Sequence, residues 1–297
     1  MAEAVLPTVL TARPRPRAGV GHRLLRDRAA IVGLILVAGA VLAAVGAPML
    51  TPHDPTAINP AAVLQGPSRA HPLGTDNLGR DVLSRLLYGA RPSLGTAATA
   101  SLLILAIGVT GGTISGYVGG RVDETLMRIV DVLLAFPSLI LALAIAGMLG
   151  PGLVHVMIGM AAVWWVGYAR IVRGLVLSVR ERQFVEAAQA VGASHARIIW
   201  RHALPNVMAP VIVLVTLDMG GLILAISGLN FLGLGVQPPW PEWGAMLNEG
   251  RPFLFSTPRL MIYPGLAISL VVIGFNMLGD ALRDVLDPRL RGGQTQS

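Results

Sequence analysis

"VMAPVIVLVTLDMGGLILAISGL", residues 207–229, is an apolar run interrupted by one charged side chain, Asp218. An α-helix rises about 1.5 Å per residue, so a stretch of this length crosses the ~30 Å hydrocarbon core of a bilayer. The run is continuous and lacks the period-two alternation of a membrane barrel strand. It is read as a transmembrane helix. Five further stretches pass the same test: Ala29–Leu50, Leu94–Val118, Ile129–Leu149, Leu153–Ala169 and Met261–Ala281. Composition agrees, since the 297 residues are 54% hydrophobic and 13% charged, against about 25% charged in soluble domains. So few charges cannot cover a water-facing surface of this size. The expected fold class is an all-α polytopic membrane protein with six transmembrane helices.

All 23 basic residues are arginine, and the sequence pI is about 11.1. Such a balance could mark a nucleic-acid binder, which needs a basic face on a soluble domain; the apolar segments leave no room for one. Six spans put both termini on one side. If that side is the cytoplasm, inside segments hold 17 arginines and outside segments six, as the positive-inside rule requires. The expected orientation is N-in, C-in, with no nucleic-acid partner and with membrane lipid around the spans. Residues 1–28 form a cytoplasmic segment, 29–50 a retained first span rather than a cleaved signal peptide, and 51–93 an extracytoplasmic loop. Residues 94–281 are the core, including a polar loop at 170–206, and 282–297 a cytoplasmic tail. The absence of cysteine excludes disulfides and thiolate metal sites. The absence of lysine excludes a Walker-type phosphate loop.

The polar loop continues from the fourth span as "ARIVRGLVLSVRERQFVEAAQAVGASHARIIWRHALPN", residues 169–206. Ser178 and Glu181 have the spacing of a capping box. Phe184, Ala187, Ala188 and Val191 then recur at i, i+3, i+4 and i+7, one apolar helical face. Gly192 suits a left-handed helix end, Ser194 a new N-cap, and Pro205 a stop. The spacing predicts a cytoplasmic helical hairpin between spans four and five, either lying on lipid headgroups or receiving another protein. Small alanines on its apolar face allow close approach of a second surface.

Elsewhere, Asp131 and Asp218 are acids at or within spans, where ionisable groups are costly and commonly face the bundle interior. Asp131 has Arg128 as a helical neighbour; Asp218 has no basic residue so near. Both are candidates for a translocation path. Gly108, Gly112 and Gly116 make a small-residue stripe for close helix packing, within the chain or against another. His53, His71 and Asp76 share one loop without a metal-ligand spacing, and no metal site is assigned. His155 is read as a span-edge residue. The second long outside segment, 230–260, holds Pro238, Pro239, Trp240 and Trp243; its prolines preclude a regular helix and its aromatics favour ordered interfacial structure. No constellation of nucleophile, base or metal ligands lies within the spans, and no pair of matched broken helices marks an ion-coupled secondary transporter.

The residues also carry a resemblance. Glu186, Ala187, Ala188, Gly192, Leu204 and Pro205 stand as in the "EAA loop" of bacterial ABC-importer permeases. His202 replaces the isoleucine usual there, a departure common in the peptide and nickel branch. "HPLGTDNLGRDVLSRLLYGARPSL", "GYVGGRVDETLMRIVDVLLAFPSLIL", "FLGLGVQPPWPEWGAMLNEGR" and "NMLGDALRDVLDPRL" are similar to blocks of the C-type permease subunit of dipeptide, oligopeptide and nickel importers. The likeness covers roughly Arg23 to Leu290. It implies a multi-pass protein of the bacterial inner membrane, working with a second homologous permease, two ATPase subunits and an extracytoplasmic substrate-binding protein. ATP is then bound by the partners, and this chain is no enzyme and holds no cofactor. The hairpin becomes a coupling helix seated on an ATPase, with Glu186, Ala187, Ala188, Gly192, His202, Leu204 and Pro205 at the contact. Pro238, Pro239, Trp240 and Trp243 become candidates for docking the binding protein. Di- or oligopeptides are the expected cargo, with nickel or a metal chelate as the alternative.

Overall fold

The computed structural model describes residue 24 and residues 26–286. The proposed N-terminal segment and C-terminal tail fall mostly outside these residues, as does the end of the "NMLGDALRDVLDPRL" block. Among the described residues every regular element is helical, apart from one isolated bridge between Thr75 and Asp81. The long helices are α1 (Arg28–Leu50), α2 (Val82–Val118), α5 (Leu153–Arg180), α8 (Leu204–Phe231) and α10 (Arg259–Leu286). Between them lie α3 (Gly120–Leu134), α4 (Ser138–Leu149), α6 (Gln183–Ala190), α7 (His195–Ile198) and α9 (Trp243–Gly250). Among the described residues five helices are long and apolar enough to cross a membrane, one of them running unbroken from α7 into α8.

The third expected span, Ile129–Leu149, is not one straight helix. It divides at Ala135–Pro137 into α3 and α4, which meet at 90°. Pro137 has no amide hydrogen and pushes the preceding residue out of the helical region, so the helix ends just before it. The sixth crossing exists only if this bent pair is counted as one.

The second apolar stretch sits in a helix that begins well before Leu94. Asp81 accepts a hydrogen bond from the Ser84 amide at 2.8 Å and so starts α2 at Val82. Helix α2 packs along α5 through the glycine stripe. A Cβ at Gly108, Gly112 or Gly116 would stand 2.6, 2.5 or 2.7 Å from Tyr168 Cβ, Ala169 O and Arg173 O. The stripe is therefore used within the chain. Gly112→Val is expected to cost about 2 kcal/mol or more through overpacking. Gly111→Ala, whose Cβ meets only Trp165 at 3.5 Å, is expected to be neutral. Melting of the purified chain in detergent distinguishes the pair.

The core joins α1, α2, α4, α5, α8, α9 and α10 around Ile104, Val156, Met160, Ile223 and Ile226. The outward faces are apolar too: Leu42 and Val45 of α1 are each 69% exposed, as expected where lipid replaces water.

Candidate functional site

Three polar regions stand out on this scaffold: the helical hairpin at one end of α2, a folded cap at its other end, and a carboxylate at mid-helix between them.

The hairpin forms, with changes at both ends. Ser178 and Glu181 make no capping box, because α5 runs on through Ser178 to Arg180, and Arg182 occupies the N-cap of α6 without a side-chain bond. Gly192 ends α6 with φ +78°, the left-handed region glycine enters freely. The Ser194 hydroxyl then accepts from the Arg197 amide at 3.4 Å and opens α7. Pro205 does not stop the second helix. It lies inside the run from α7 into α8, directly after a π-helical turn at Ile199–Ala203, a departure from the regular ladder of the kind that accommodates a missing amide hydrogen.

Val185, Ile198, Ala203 and Val207 pack with Val172, Val176 and Val179 of α5 and with Tyr117 of α2. The Tyr117 hydroxyl and His195 Nδ1 are 2.9 Å apart, and Arg180 donates to the Tyr117 carbonyl at 3.1 Å. Asp123 of α3 is held by Arg173 of α5 through two bonds of 2.5 and 2.6 Å. The hairpin is thus fixed to α2, α5 and α8 together. Its other face is open. Glu186 and Ala187 are exposed, Ala188 half-buried, and Phe184, Val191 and Trp200 are 40%, 84% and 72% exposed. His202 is half-buried beside Phe184, ring centroids 6.0 Å apart, and Leu204 is half-buried while Pro205 is exposed.

The cap comprises residues 51–81 and 232–258. Arg80 donates to Asp76 at 2.6 Å and to Glu249 at 2.5 Å, and Arg85 donates to Glu249 at 2.8 Å. Both guanidinium groups are 1% exposed. Arg259 adds bonds of 2.9 and 2.8 Å to the Leu64 and Gln65 carbonyls. The two loops therefore form one folded unit. Asp76 is committed to arginine, so the loop acid beside the histidines is Asp81: His71 Nδ1 lies 2.9 Å from its carboxylate, while His53 Nε2 lies 2.8 Å from the Ala70 carbonyl. His155 lies at the start of α5 with Nδ1 2.8 Å from the Gly150 carbonyl. Pro238, Pro239 and Trp240 lie on the surface, and Trp240 is 64% exposed. Trp243 is inside, 3% exposed, with its indole N–H donating to the Leu86 carbonyl at 2.9 Å. Tyr88 and Trp240 stand between two grooves of about 550 and 480 Å³.

Glu242 caps α9 and is fully buried in the cap. It accepts from the Ser93 hydroxyl at 2.6 Å and from the Ala245 amide at 2.9 Å. Burial pushes its carboxyl up to about 7, outweighing the opposing hydrogen bonds from Ser93 and from the Ala245, Gly244 and Trp243 amides. A raised folded-state pKa adds stability that is complete below the unfolded value near 4.5 and is lost as pH rises through about 7. The protein is expected to melt higher at pH 5 than at pH 8, by an amount reflecting roughly 3 kcal/mol. Glu242→Gln is expected to flatten that dependence. A pH series of thermal melts in nanodiscs checks both.

At mid-bundle, Asp218 lies near the centre of α8 and is exposed on the chain surface. The Tyr168 hydroxyl donates to its Oδ2 at 2.7 Å. Asp131 is paired with Arg170 of α5 rather than with Arg128, and both members are about half exposed. Sequence reasoning found the two acids but not these partners, which come from another helix at separations of 50 and 39 residues. Nor did it find the arginine–carboxylate cluster of the cap. The only trace of that cluster is an excess of charge in loops that could equally have been solvated.

The profile of the family described as "binding-protein-dependent transport system inner membrane component" matches residues 108–292, and that of the N-terminal TM domain of oligopeptide transport permease C matches residues 16–67. The chain is 47% identical to the dipeptide transport system permease protein of Alkalihalophilus pseudofirmus, over 91% of this chain and 88% of the relative. It is 44% identical to the nickel transport system permease protein of Escherichia coli, over 87% and 94%. It is 40% identical to the oligopeptide transport system permease protein of Bacillus subtilis, over 91% and 88%.

Proposed function

The chain belongs to the family of binding-protein-dependent transport system inner membrane components, and from that premise we propose that it is one of two permease subunits of an ATP-driven importer of di- or oligopeptides. Both termini are cytoplasmic in this reading, which rests on the distribution of arginines. The hairpin is then inside and the cap outside. The observation that carries the mechanism is the hairpin's division into two faces. One face is buried against α2, α5 and α8; the other presents Phe184, Glu186, Ala187, Val191 and Trp200 to a partner. A surface so fixed to three long helices moves them when its partner moves, which is what ATP-driven closure of an ATPase pair requires.

Glu186, Ala187, Ala188 and Gly192 are assigned to that contact, with His202, Leu204 and Pro205 supporting the joint to α8. The π-helical turn at Ile199–Ala203 sits between them, a local irregularity often found at functional joints. On the outside, Trp240 with Pro238 and Pro239 offers an exposed rim for a substrate-binding protein. Trp243 acts from within by holding α9 against α2. ATP and its hydrolysis belong to partner subunits.

Among relatives, dipeptide, oligopeptide and glutathione permeases support a peptide cargo. The nickel permease at 44% identity favours a second reading, import of nickel or a metal chelate. The test is uptake by the complete complex in proteoliposomes, with its binding protein outside and ATP inside. Radiolabelled Ala-Ala is expected to accumulate and ⁶³Ni²⁺ not to. Accumulation of nickel alone would overturn the peptide assignment.

A further inference from the structure

The region around Asp218 carries more than a place on the path. It lies at the middle of the 28-residue α8, and a carboxylate facing lipid at that depth costs about 3 kcal/mol or more. Its exposed face must therefore meet the path or another polypeptide. It borders a cavity of about 200 Å³ whose lining includes Ser138, Trp164, Gly167 and Tyr168, with Leu134 and Leu214 among the apolar remainder. Among the described residues no arginine or histidine lines this cavity. Asp218 accepts one hydrogen bond, from Tyr168 to Oδ2, and among the described residues no side chain is bonded to Oδ1. Arg170, two residues beyond Tyr168 on α5, is taken by Asp131.

We infer that this cavity is a recognition site for an organic ammonium group, the free amino terminus of a peptide, at mid-membrane depth. The inference rests on the peptide-importer reading above. An ammonium is satisfied by what the site offers: a carboxylate with a free oxygen, hydroxyl oxygens on Ser138 and Tyr168, and an indole at Trp164. A divalent metal is not. Nickel takes several nitrogen, oxygen or sulfur donors, whereas the lining holds one carboxylate, no histidine and no methionine. The volume of about 200 Å³ equals the share of about seven waters in the liquid, enough for one end of a peptide and not its length. Tyr168 acts as a positioning residue, since its hydroxyl occupies Oδ2 and leaves Oδ1 for the incoming cation.

The test uses the permease pair with its ATPase subunits in nanodiscs, without the binding protein. Binding of Ala-Ala, N-acetyl-Ala-Ala and Ni²⁺ is measured by calorimetry in parallel. Ala-Ala is expected to bind at least about tenfold more tightly than its acetylated form, the share of one charged hydrogen-bonded contact. Asp218→Asn is expected to remove the difference, Asp218→Glu to keep most of it, and Tyr168→Phe to reduce it, with complex assembly unchanged by size-exclusion chromatography. Equal binding of the two peptides, a preference that survives Asp218→Asn, or nickel binding that requires Asp218 would each overturn the site. Loss of assembly in Asp218→Asn together with retained assembly but no preference in Tyr168→Phe and Asp218→Glu would make the acid structural and also overturn it. Those failures are separable from failure of the importer reading. Ala-Ala uptake by the full complex tests that reading alone and does not depend on discrimination at Asp218.

Discussion

Gly192→Pro is expected to abolish ATP-driven uptake, lowering it to roughly a hundredth of wild type or less, with the chain still inserted in the membrane. Gly192 holds φ +78° at the turn between α6 and α7. Proline fixes φ near −65° and cannot adopt that conformation. Its ring also removes the amide that donates to the Gln189 carbonyl at 2.9 Å. The turn then opens, and Ser194 no longer presents α7 so that Ile198 enters its buried position among Val176, Val179 and Val207. The bundle itself is untouched, because Gly192 is exposed and a Cβ there meets nothing within 4 Å. Gly192→Asn separates conformation from side chain, since asparagine tolerates the left-handed region and is expected to keep most uptake. Gly192→Ala, with a penalty of about 1 kcal/mol, is expected to fall between them. Uptake in proteoliposomes, set beside ATPase subunits recovered on the purified permease, decides the matter. Wild-type transport by the proline variant would remove the hairpin from the coupling path.

Much of this architecture was legible because lipid imposes a simple rule. Long apolar runs such as Val207–Leu229 and Ala29–Leu50 coincide with long helices, since a helix satisfies every backbone group within its own run. The rule is silent about where a helix continues into water. That is why α2 starts at Asp81 rather than at Leu94 and α5 extends to Arg180. It also overlooks a break inside an apolar run: hydropathy treats Phe136-Pro137 as two more apolar residues, although the proline turns the chain by 90°. The local conformation of the hairpin was readable at Gly192 and Ser194, where single residues dictate backbone geometry. It was misread at Pro205, because a π-helical turn just before it lets the helix run through the proline from α7 into α8. Pairings across the fold left no such signal. Asp131 has a plausible neighbour in Arg128 and an actual partner in Arg170, and Trp243 resembles Trp240 in sequence but lies inside while its neighbour lies out.

The cap's arginine cluster sets the second large effect. Arg80 and Arg85 are matched by Asp76 and Glu249, two buried positive groups and two negative ones, of which Asp76 is buried and Glu249 half-buried. Arg85→Met keeps much of the side-chain volume and deletes one charge, leaving two carboxylates to share Arg80. Breaking a buried pair on one side costs about 3–5 kcal/mol, mostly for the charge left uncompensated. In a chain of this size that corresponds to a fall in Tm on the order of 10 °C. Glu249→Gln is expected to cost a similar amount, because it leaves two arginines facing Asp76. The double variant restores balance between Arg80 and Asp76, so its loss is expected to be smaller than the sum of the single losses by about 2 kcal/mol. A melting series on wild type, both singles and the double in nanodiscs measures that coupling. Additive losses would mean the charges act independently and the cap is held by packing at Trp243 and the Arg259 carbonyl contacts. Coupled losses would mean that the two loops are joined by the ion cluster itself. Binding-protein-stimulated ATPase activity should then fall in Arg85→Met and stay low in the double, even where stability is partly restored, because the Trp240 rim is carried on the loop that Arg85 holds through its bond to the Pro239 carbonyl at 3.3 Å.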